Sequence, residues 1–208
     1  MTKKFTQLDG MLLYVCVPNP VKGYKDPKAA FEPGMEWKAS VAVTDEDTID
    51  EFEAYAKSCG ANVSVKKVIT SDFAAVYKTE PPEDAGKKLW VVTLRKKTTL
   101  GKTEKEVPDI YKPKVFLAEG DEFTDITNDP DQIVGNGSIG SMSIDVFHRD
   151  NGTASFYLKN ILVETLVPFV RTEGTTSDYT PGEEFSRKTK AAPAPVEKAP
   201  EAPKTKAV

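Results

Sequence analysis

Residues 141–163 read SMSIDVFHRDNGTASFYLKNILV and decide the fold that we expect for this chain. Two runs of alternating apolar and polar residues flank Asn151-Gly152, a dipeptide typical of β-hairpin turns. In the first run Met142, Ile144 and Val146 point to one face, because successive side chains alternate across a strand. The stretch therefore predicts an antiparallel hairpin with one core face and one outer face.

Two turn lengths are compatible with this pattern. A two-residue turn would place Phe147 opposite Phe156, which mixes the core face of one strand with the outer face of the other. A three-residue loop over residues 150–152, with Gly152 in the left-handed region, pairs Val146 with Phe156 instead. We favour the three-residue loop because it sets apolar residues against apolar residues.

The favoured register leaves two aromatic and two cationic residues on the outer face of the hairpin. They are Phe147, Arg149, Tyr157 and Lys159. Rings interleaved with cations on an open sheet suit a single strand of nucleic acid, because its bases stack and its phosphates need countercharge. The alternative, which this stretch leaves open, is a half-exposed hairpin whose aromatic residues pack beneath a loop.

Length and composition limit the class of protein. The chain has 208 residues and a formal net charge of −4, enough for one core with appendages. We see no apolar run of transmembrane length and no secretory signal. Cys16 and Cys59 fit reduced thiols better than a disulfide framework. We expect a soluble, intracellular protein.

Short strands and one helix make up the rest of the predicted domain. Strand-like runs cover residues 12–17, 37–43, 63–69 and 89–94. Trp37 falls on the core face of its run by phase. Carboxylates at 45–47, apolar residues at helical spacing after them and Gly60 as a stop predict the helix. This order of elements favours a small β-barrel over a doubly wound fold.

A long loop is predicted between the first two strands. Residues 18–34 are rich in Pro, Gly and Lys. Long loops within compact domains are usually functional or mobile. The loop carries three candidate DNA contacts, which are Tyr24, Lys25 and Phe31.

Charge is distributed unevenly along the chain. Residues 87–114 hold nine Lys and Arg against three carboxylates, whereas residues 119–131 hold six carboxylates and no cation. Phosphates respond to local charge, so a chain that is acidic in total can still present a basic groove. Arg95, Lys96 and Lys97 are therefore candidate phosphate contacts. The alternative is that residues 95–105 form a solvated hairpin tip.

Patterns that would indicate catalysis or metal binding are weak. Residues 135–140 match G-x-G-x-x-G, but a dinucleotide site needs a helix to follow and a β-patterned run follows here. His148 is the single histidine, and the sequence contains no recognisable nucleophile motif that it could serve. One histidine and two distant cysteines make a poor zinc site. The carboxylates of residues 121–131 lack EF-hand spacing. We expect no enzyme, metal or cofactor.

The character of the chain changes after about residue 171. Residues 187–208 are mostly Pro, Ala, Lys and Glu, and such a segment cannot bury enough apolar surface to offset its ordering entropy. We predict a folded domain over residues 1–171 and a disordered C-terminal tail over residues 172–208.

Several segments, taken in order, resemble a known family. They are Tyr14–Pro18, Trp37–Val41, Asp125-Ile126 before Val134–Ser138, and Phe156–Leu166. Their order and spacing resemble those of the single-stranded DNA-binding proteins of tailed bacteriophages, the gene 2.5-like group built on an OB-fold. The resemblance covers roughly residues 10–170.

The resemblance implies a mainly β, OB-fold-like, five-stranded Greek-key barrel with one α-helix, extra hairpins and a disordered tail. It implies sequence-independent binding and protection of single-stranded DNA during phage replication, recombination and repair, in the cytoplasm of the infected bacterial host. A monomer or homodimer is expected. The alternatives from other classes are a phage structural or assembly β-barrel without nucleic-acid binding, and a small hydrolase that uses His148.

The tail departs from the family pattern. Family members usually end in an acidic tail with a terminal aromatic residue, which contacts phage replication proteins and competes with DNA. Here residues 187–208 carry six cations against Glu197 and Glu201. Recruitment of replication proteins through the tail is therefore in doubt.

Overall fold

The computed structural model describes residues 4–23, 34–100 and 105–169. In this part of the chain eight strands form one mixed sheet, accompanied by two α-helices. The strands are β1 Gln7–Lys22, β2 Met35–Val43, β3 Ser64–Ile69, β4 Lys88–Lys97, β5 Lys114–Glu119, β6 Glu122–Asp125, β7 Ser138–His148 and β8 Ala154–Thr165. The helices are α1 Glu46–Ser58 and α2 Thr70–Tyr77. The order in the sheet is β3-β4-β2-β1-β7-β8-β5-β6.

The β7–β8 hairpin has the register that the sequence predicted. Val146 lies opposite Phe156. The Arg149 N–H donates to the Thr153 carbonyl at 2.8 Å, which leaves a three-residue loop between them. Gly152 in that loop has φ +80°, a conformation that glycine adopts without a Cβ penalty. The favoured turn is therefore confirmed and the two-residue turn is excluded.

The sheet curls, so that strands far apart in its order approach each other. Cα atoms of β4 and β8 come within 8 Å, although β2, β1 and β7 lie between them in the sheet. The main core includes Val92 of β4 and Leu158 of β8, both fully buried. Trp37, 6% exposed, belongs to the same core, as its phase predicted. The Phe52 ring of α1 meets Phe156 at a centroid distance of 5.9 Å, so α1 covers this core.

The predicted helix corresponds to α1. The Asp45 carboxylate accepts a hydrogen bond from the Thr48 N–H at 3.0 Å and caps its first turn. Glu46 and Asp47 follow in that turn, where carboxylates interact favourably with the helix dipole.

The prediction of a single helix is wrong, because residues 70–77 form α2. No side chain caps its N-terminus at Ile69, and so short a helix is marginal in isolation. It is stabilised by tertiary packing instead. Phe73 and Tyr77 are buried against Leu89 of β4 in a second, smaller core.

The mainly β class is confirmed, and the eight strands exceed the five of the predicted barrel. The five-stranded Greek-key arrangement stays a prediction. The contacts between Cα atoms divide the chain into two units, Met1–Val170 and Arg171–Val208. All described residues belong to the first unit. The predicted disorder of residues 172–208 lies outside the described residues.

Candidate nucleic-acid interface

The basic run predicted to contact phosphates lies within β4, and not at a hairpin tip. Lys97 pairs with Glu36 of β2, and Arg95 pairs with Lys38. The chain turns back only later, where Thr99 forms an isolated bridge with Glu106. The cations are therefore held on a pleated surface, on which successive side chains point to opposite faces.

Arg95 and Lys97 share the outer face of the sheet, because Leu94 belongs to the main core and side chains alternate along a strand. Lys38 lies directly opposite Arg95 and points the same way. The Arg95 Nη1 donates to Glu36 Oε1 at 2.9 Å. This end of the outer face thus carries three cations and one carboxylate.

Lys38 was missing from the predicted site. The signal that could have found it was its position beside Trp37, whose core phase places its neighbour on the outer face. Cys16 continues the row on β1, opposite Lys38. Burial raises the pKa of the Cys16 thiol, and the Lys38 ammonium offsets this in part. The thiol therefore adds no negative charge to the row at neutral pH.

Lys96 has a different environment from its two neighbours in sequence. Its side chain is 14% exposed, and its Nζ lies 3.7 Å from Asp145 Oδ2 of β7. Three consecutive strand residues cannot share one face, so Lys96 points away from the face that bears Arg95 and Lys97. The predicted phosphate contact of Lys96 stays a prediction.

The outer face of the β7–β8 hairpin carries the four residues expected there. Phe147 is 57% exposed, Tyr157 is half-buried, and Lys159 is exposed. The Arg149 Nη2 donates to Ser155 Oγ at 2.6 Å, which holds the guanidinium across the hairpin. Within the described residues neither Phe147 nor Tyr157 packs against another ring.

The structure brings the hairpin and the basic run together. A groove of about 250 Å³ lies between the end of β4 and the start of β8. Arg95 lines it from one side and Tyr157 from the other. Asn62, Ser64 and Ser155 contribute further polar side chains to its wall. A cation and a ring that are distant in sequence therefore share one open groove.

The candidates Tyr24, Lys25 and Phe31 lie outside the described residues, so their contribution stays a prediction. The segment that carries them starts and ends beside the cationic end of the sheet. The Gly23 N–H donates to the Gly34 carbonyl at 3.0 Å, and β2 begins next to that hydrogen bond.

The glycine-rich segment before β7 leads into a strand, as expected. A Cβ atom at Gly140 would lie 2.0 Å from the Leu162 carbonyl oxygen, so the close approach of β8 requires glycine there. His148 is exposed, and among the described residues its side chain makes no hydrogen bond or ion pair.

Among the described residues no group of three or more His, Cys, Asp or Glu residues could hold a metal ion. None of the described helices has the length and apolar character needed to cross a membrane.

No family model matches the chain, and no curated protein matches it at a significant level. Among solved structures, the chain is similar to the single-stranded DNA-binding protein from bacteriophage Enc34, with 17% identity over 83% of this chain and 88% of that chain and a TM-score of 0.42. The structure of that protein in complex with single-stranded DNA matches with 16% identity over 79% and 88% of the two chains and a TM-score of 0.42.

A third similar structure is gp2.5, a single-stranded DNA-binding protein encoded by bacteriophage T7. It matches with 13% identity over 83% of this chain and 92% of that chain and a TM-score of 0.43. The predicted resemblance to phage single-stranded DNA-binding proteins is confirmed.

Proposed function

We propose that this chain binds single-stranded DNA without sequence preference on the outer face of its sheet. The observation that carries this proposal is the groove that Tyr157 and Arg95 both line. Lys38 and Lys97 extend the cationic wall, and the exposed ring of Phe147 extends the aromatic one. We name this surface, formed by Lys38, Arg95, Lys97, Phe147 and Tyr157, the β4–β8 interface.

The cations of the β4–β8 interface supply attraction for the phosphates. Arg95 uses one guanidinium nitrogen on Glu36, and its side chain remains 42% exposed. A guanidinium has five N–H donors, so Arg95 can hold Glu36 and still donate to a phosphate. Neutralising phosphates releases counterions, which makes binding favourable at low salt whatever the base sequence.

The rings provide the preference for a single strand. Bases inside a duplex are already stacked and paired, whereas unpaired bases can lie on Phe147 and Tyr157. Every base has a π-face, so stacking tolerates any sequence. Tyr157 lines the same groove as Arg95, and we propose that one nucleotide contacts both groups.

The finer assignments belong to the same proposal. We infer that the curled sheet is an OB-fold barrel, and that the chain protects single-stranded DNA during phage replication, recombination and repair in the host cytoplasm. The segments Tyr14–Pro18, Trp37–Val41 and Phe156–Leu166, which resemble those of the phage family, support these roles. The β4–β8 interface holds no constellation of acid, base and nucleophile, and we propose a binding protein without enzymatic activity.

Fluorescence anisotropy with a labelled oligo-dT and with the matched duplex tests the proposal. We expect the single strand to bind more tightly, and Tyr157→Ala to weaken binding to it. Absence of binding to both would instead favour a structural or assembly role. Turnover of a phosphoester or ester substrate that His148→Ala abolishes would favour the hydrolase.

A further inference from the structure

The two terminal strands of the sheet, β3 and β6, are unlike in charge. Each pairs with one neighbour, β3 with β4 and β6 with β5. In the described part of the chain no backbone hydrogen bond reaches the outer edge of either strand. Such edges present unpaired N–H and C=O groups and can accept a further strand.

The β3 edge is cationic. Lys66 and Lys67 lie within it, and Lys88 of β4 lies opposite Ile69 at its end. The neighbouring Lys88 side chain lowers the pKa of Lys67, as expected for two ammonium groups close together. Glu46 pairs with Lys88 at 2.6 Å. The Ile69 side chain is 60% exposed, so this edge offers cations and one apolar group.

The β6 edge is acidic. It reads Glu122-Phe123-Thr124-Asp125, and Asp121 precedes it in the turn. Lys114 pairs with Asp125 at 2.8 Å, whereas Glu122 and Asp121 make no ion pair within the described residues. The Phe123 side chain is 63% exposed. This edge thus offers carboxylates and one apolar ring.

We propose that copies of this chain associate head to tail, with the β6 edge of one copy adding to the β3 edge of the next. Carboxylates then face lysines, and Phe123 and Ile69 provide apolar contact at the same junction. Because the contact joins two different surfaces, it leaves one free edge at each end and builds an open chain of copies unless the rotation closes a ring.

Charges on edge strands often prevent association, and here they also select the partner. Two β3 edges repel each other, as do two β6 edges, so only the mixed pairing is favourable. A contact through a four-residue strand is small, and we expect it to be weak in free solution. On a shared DNA strand neighbouring copies would meet at high effective concentration, a step that rests on the proposed function. The contact itself does not require DNA.

A charge-exchange experiment on the full chain tests the proposal without DNA. Lys66→Glu with Lys67→Glu makes both edges acidic, and Asp121→Lys with Glu122→Lys makes both edges basic. Sedimentation velocity at low salt then measures association against concentration. We expect concentration-dependent association of the natural chain, and a dissociation constant at least about tenfold higher for each variant alone. An equimolar mixture of the two variants should associate again.

Three outcomes would overturn the proposal: a natural chain that stays monomeric at all concentrations, variants that associate as well as the natural chain, or a mixture that stays dissociated. Circular dichroism checks that each variant is folded. If a double variant does not fold, the single variants Lys66→Glu and Glu122→Lys replace the double variants, and they are measured alone and as an equimolar mixture. Binding of oligo-dT is measured in parallel, so that failure of this association and failure of DNA binding are distinguishable.

Discussion

Both halves of β4 pair with β2, and the first half pairs with β3 as well, but the surroundings of the two halves differ. In the first half Leu89 and Val92 are fully buried, one on each face of the sheet. In the second half, within the described part of the chain, Arg95 and Lys97 are exposed on the outer face. The difference is the cover: α2 packs its Phe73 ring on the first half, and no described helix covers the second. Within the described residues, β4 is thus buried on both faces in its first half and exposed on its outer face in its second half.

The largest effect on stability is expected when the cover that α2 provides is removed. Phe73→Ala deletes a fully buried ring and should lower the free energy of unfolding by about 3–5 kcal/mol. Urea denaturation measures this change. Val76→Ala on the same helix, at a position 44% exposed, is the control and should stay within about 0.5 kcal/mol of the natural chain. A small loss for Phe73→Ala would show that α2 is not what stabilises the buried half.

The next effect concerns the open half and its groove. Tyr157→Ala should weaken binding of oligo-dT roughly five- to a hundredfold, because a stacked base contributes about 1–3 kcal/mol, and Phe147→Ala should act in the same way. The matched control is Phe156→Ala. That ring is 8% exposed in the core, and its loss should lower the free energy of unfolding by about 3–5 kcal/mol. If Phe156→Ala weakened DNA binding and Tyr157→Ala lowered the free energy of unfolding instead, DNA would bind the face of the hairpin opposite to the one proposed.

A smaller effect is expected on the salt dependence of DNA affinity, and it should differ between cations on the two faces of β4. Replacing Arg95 and Lys97 together by Ala should flatten the dependence of log affinity on log salt by about 1.4, or about 0.7 for each phosphate that is no longer neutralised. Lys96→Ala should leave the slope unchanged, since Lys96 is mostly buried beside Asp145. Titration of oligo-dT at several salt concentrations measures the slopes. An equal change for Lys96→Ala would contradict the assignment of faces.

The smallest effect is expected for the surface ion pair between Lys114 and Asp125, which is remote from β4. The hydrogen bond from the Lys114 ammonium, aided by the Thr127 hydroxyl, lowers the pKa of Asp125 to about 2. A carboxyl whose pKa is lowered by folding stabilises the fold above its unfolded pKa, and this contribution is lost as pH falls from about 4 to about 2. Because the Asp125 side chain is 38% exposed, we expect a loss below about 1 kcal/mol.

Urea denaturation at pH 5 and near pH 2 measures that loss. In Asp125→Asn the contribution of this group should disappear, so that stability falls less between the two pH values than in the natural chain. The same fall in both proteins would mean that the pair contributes nothing to the free energy of unfolding.

Local signals in the sequence were sufficient for the hairpin and for α1. The alternation of Val146 and Phe156 with polar neighbours, together with one glycine at the turn, leaves a single register that buries both. Asp45 marks the start of α1 because a capping carboxylate and helical spacing occur together. The sequence of α2 has neither a cap nor enough length, and its stability depends on Leu89 of a strand that follows it in the chain.

The sequence by itself determined that Phe147 and Tyr157 lie on the outer face of their hairpin, because side chains alternate along a strand, and it marked Arg95 as part of a basic run. Only the tertiary structure decided that Arg95 and Tyr157 line one groove. Alternation fixes directions within a strand, but the curl of the sheet that brings β4 beside β8 results from packing of the whole core. The groove between Arg95 and Tyr157 exists because long-range burial closes the sheet there, and no local pattern encodes that distance.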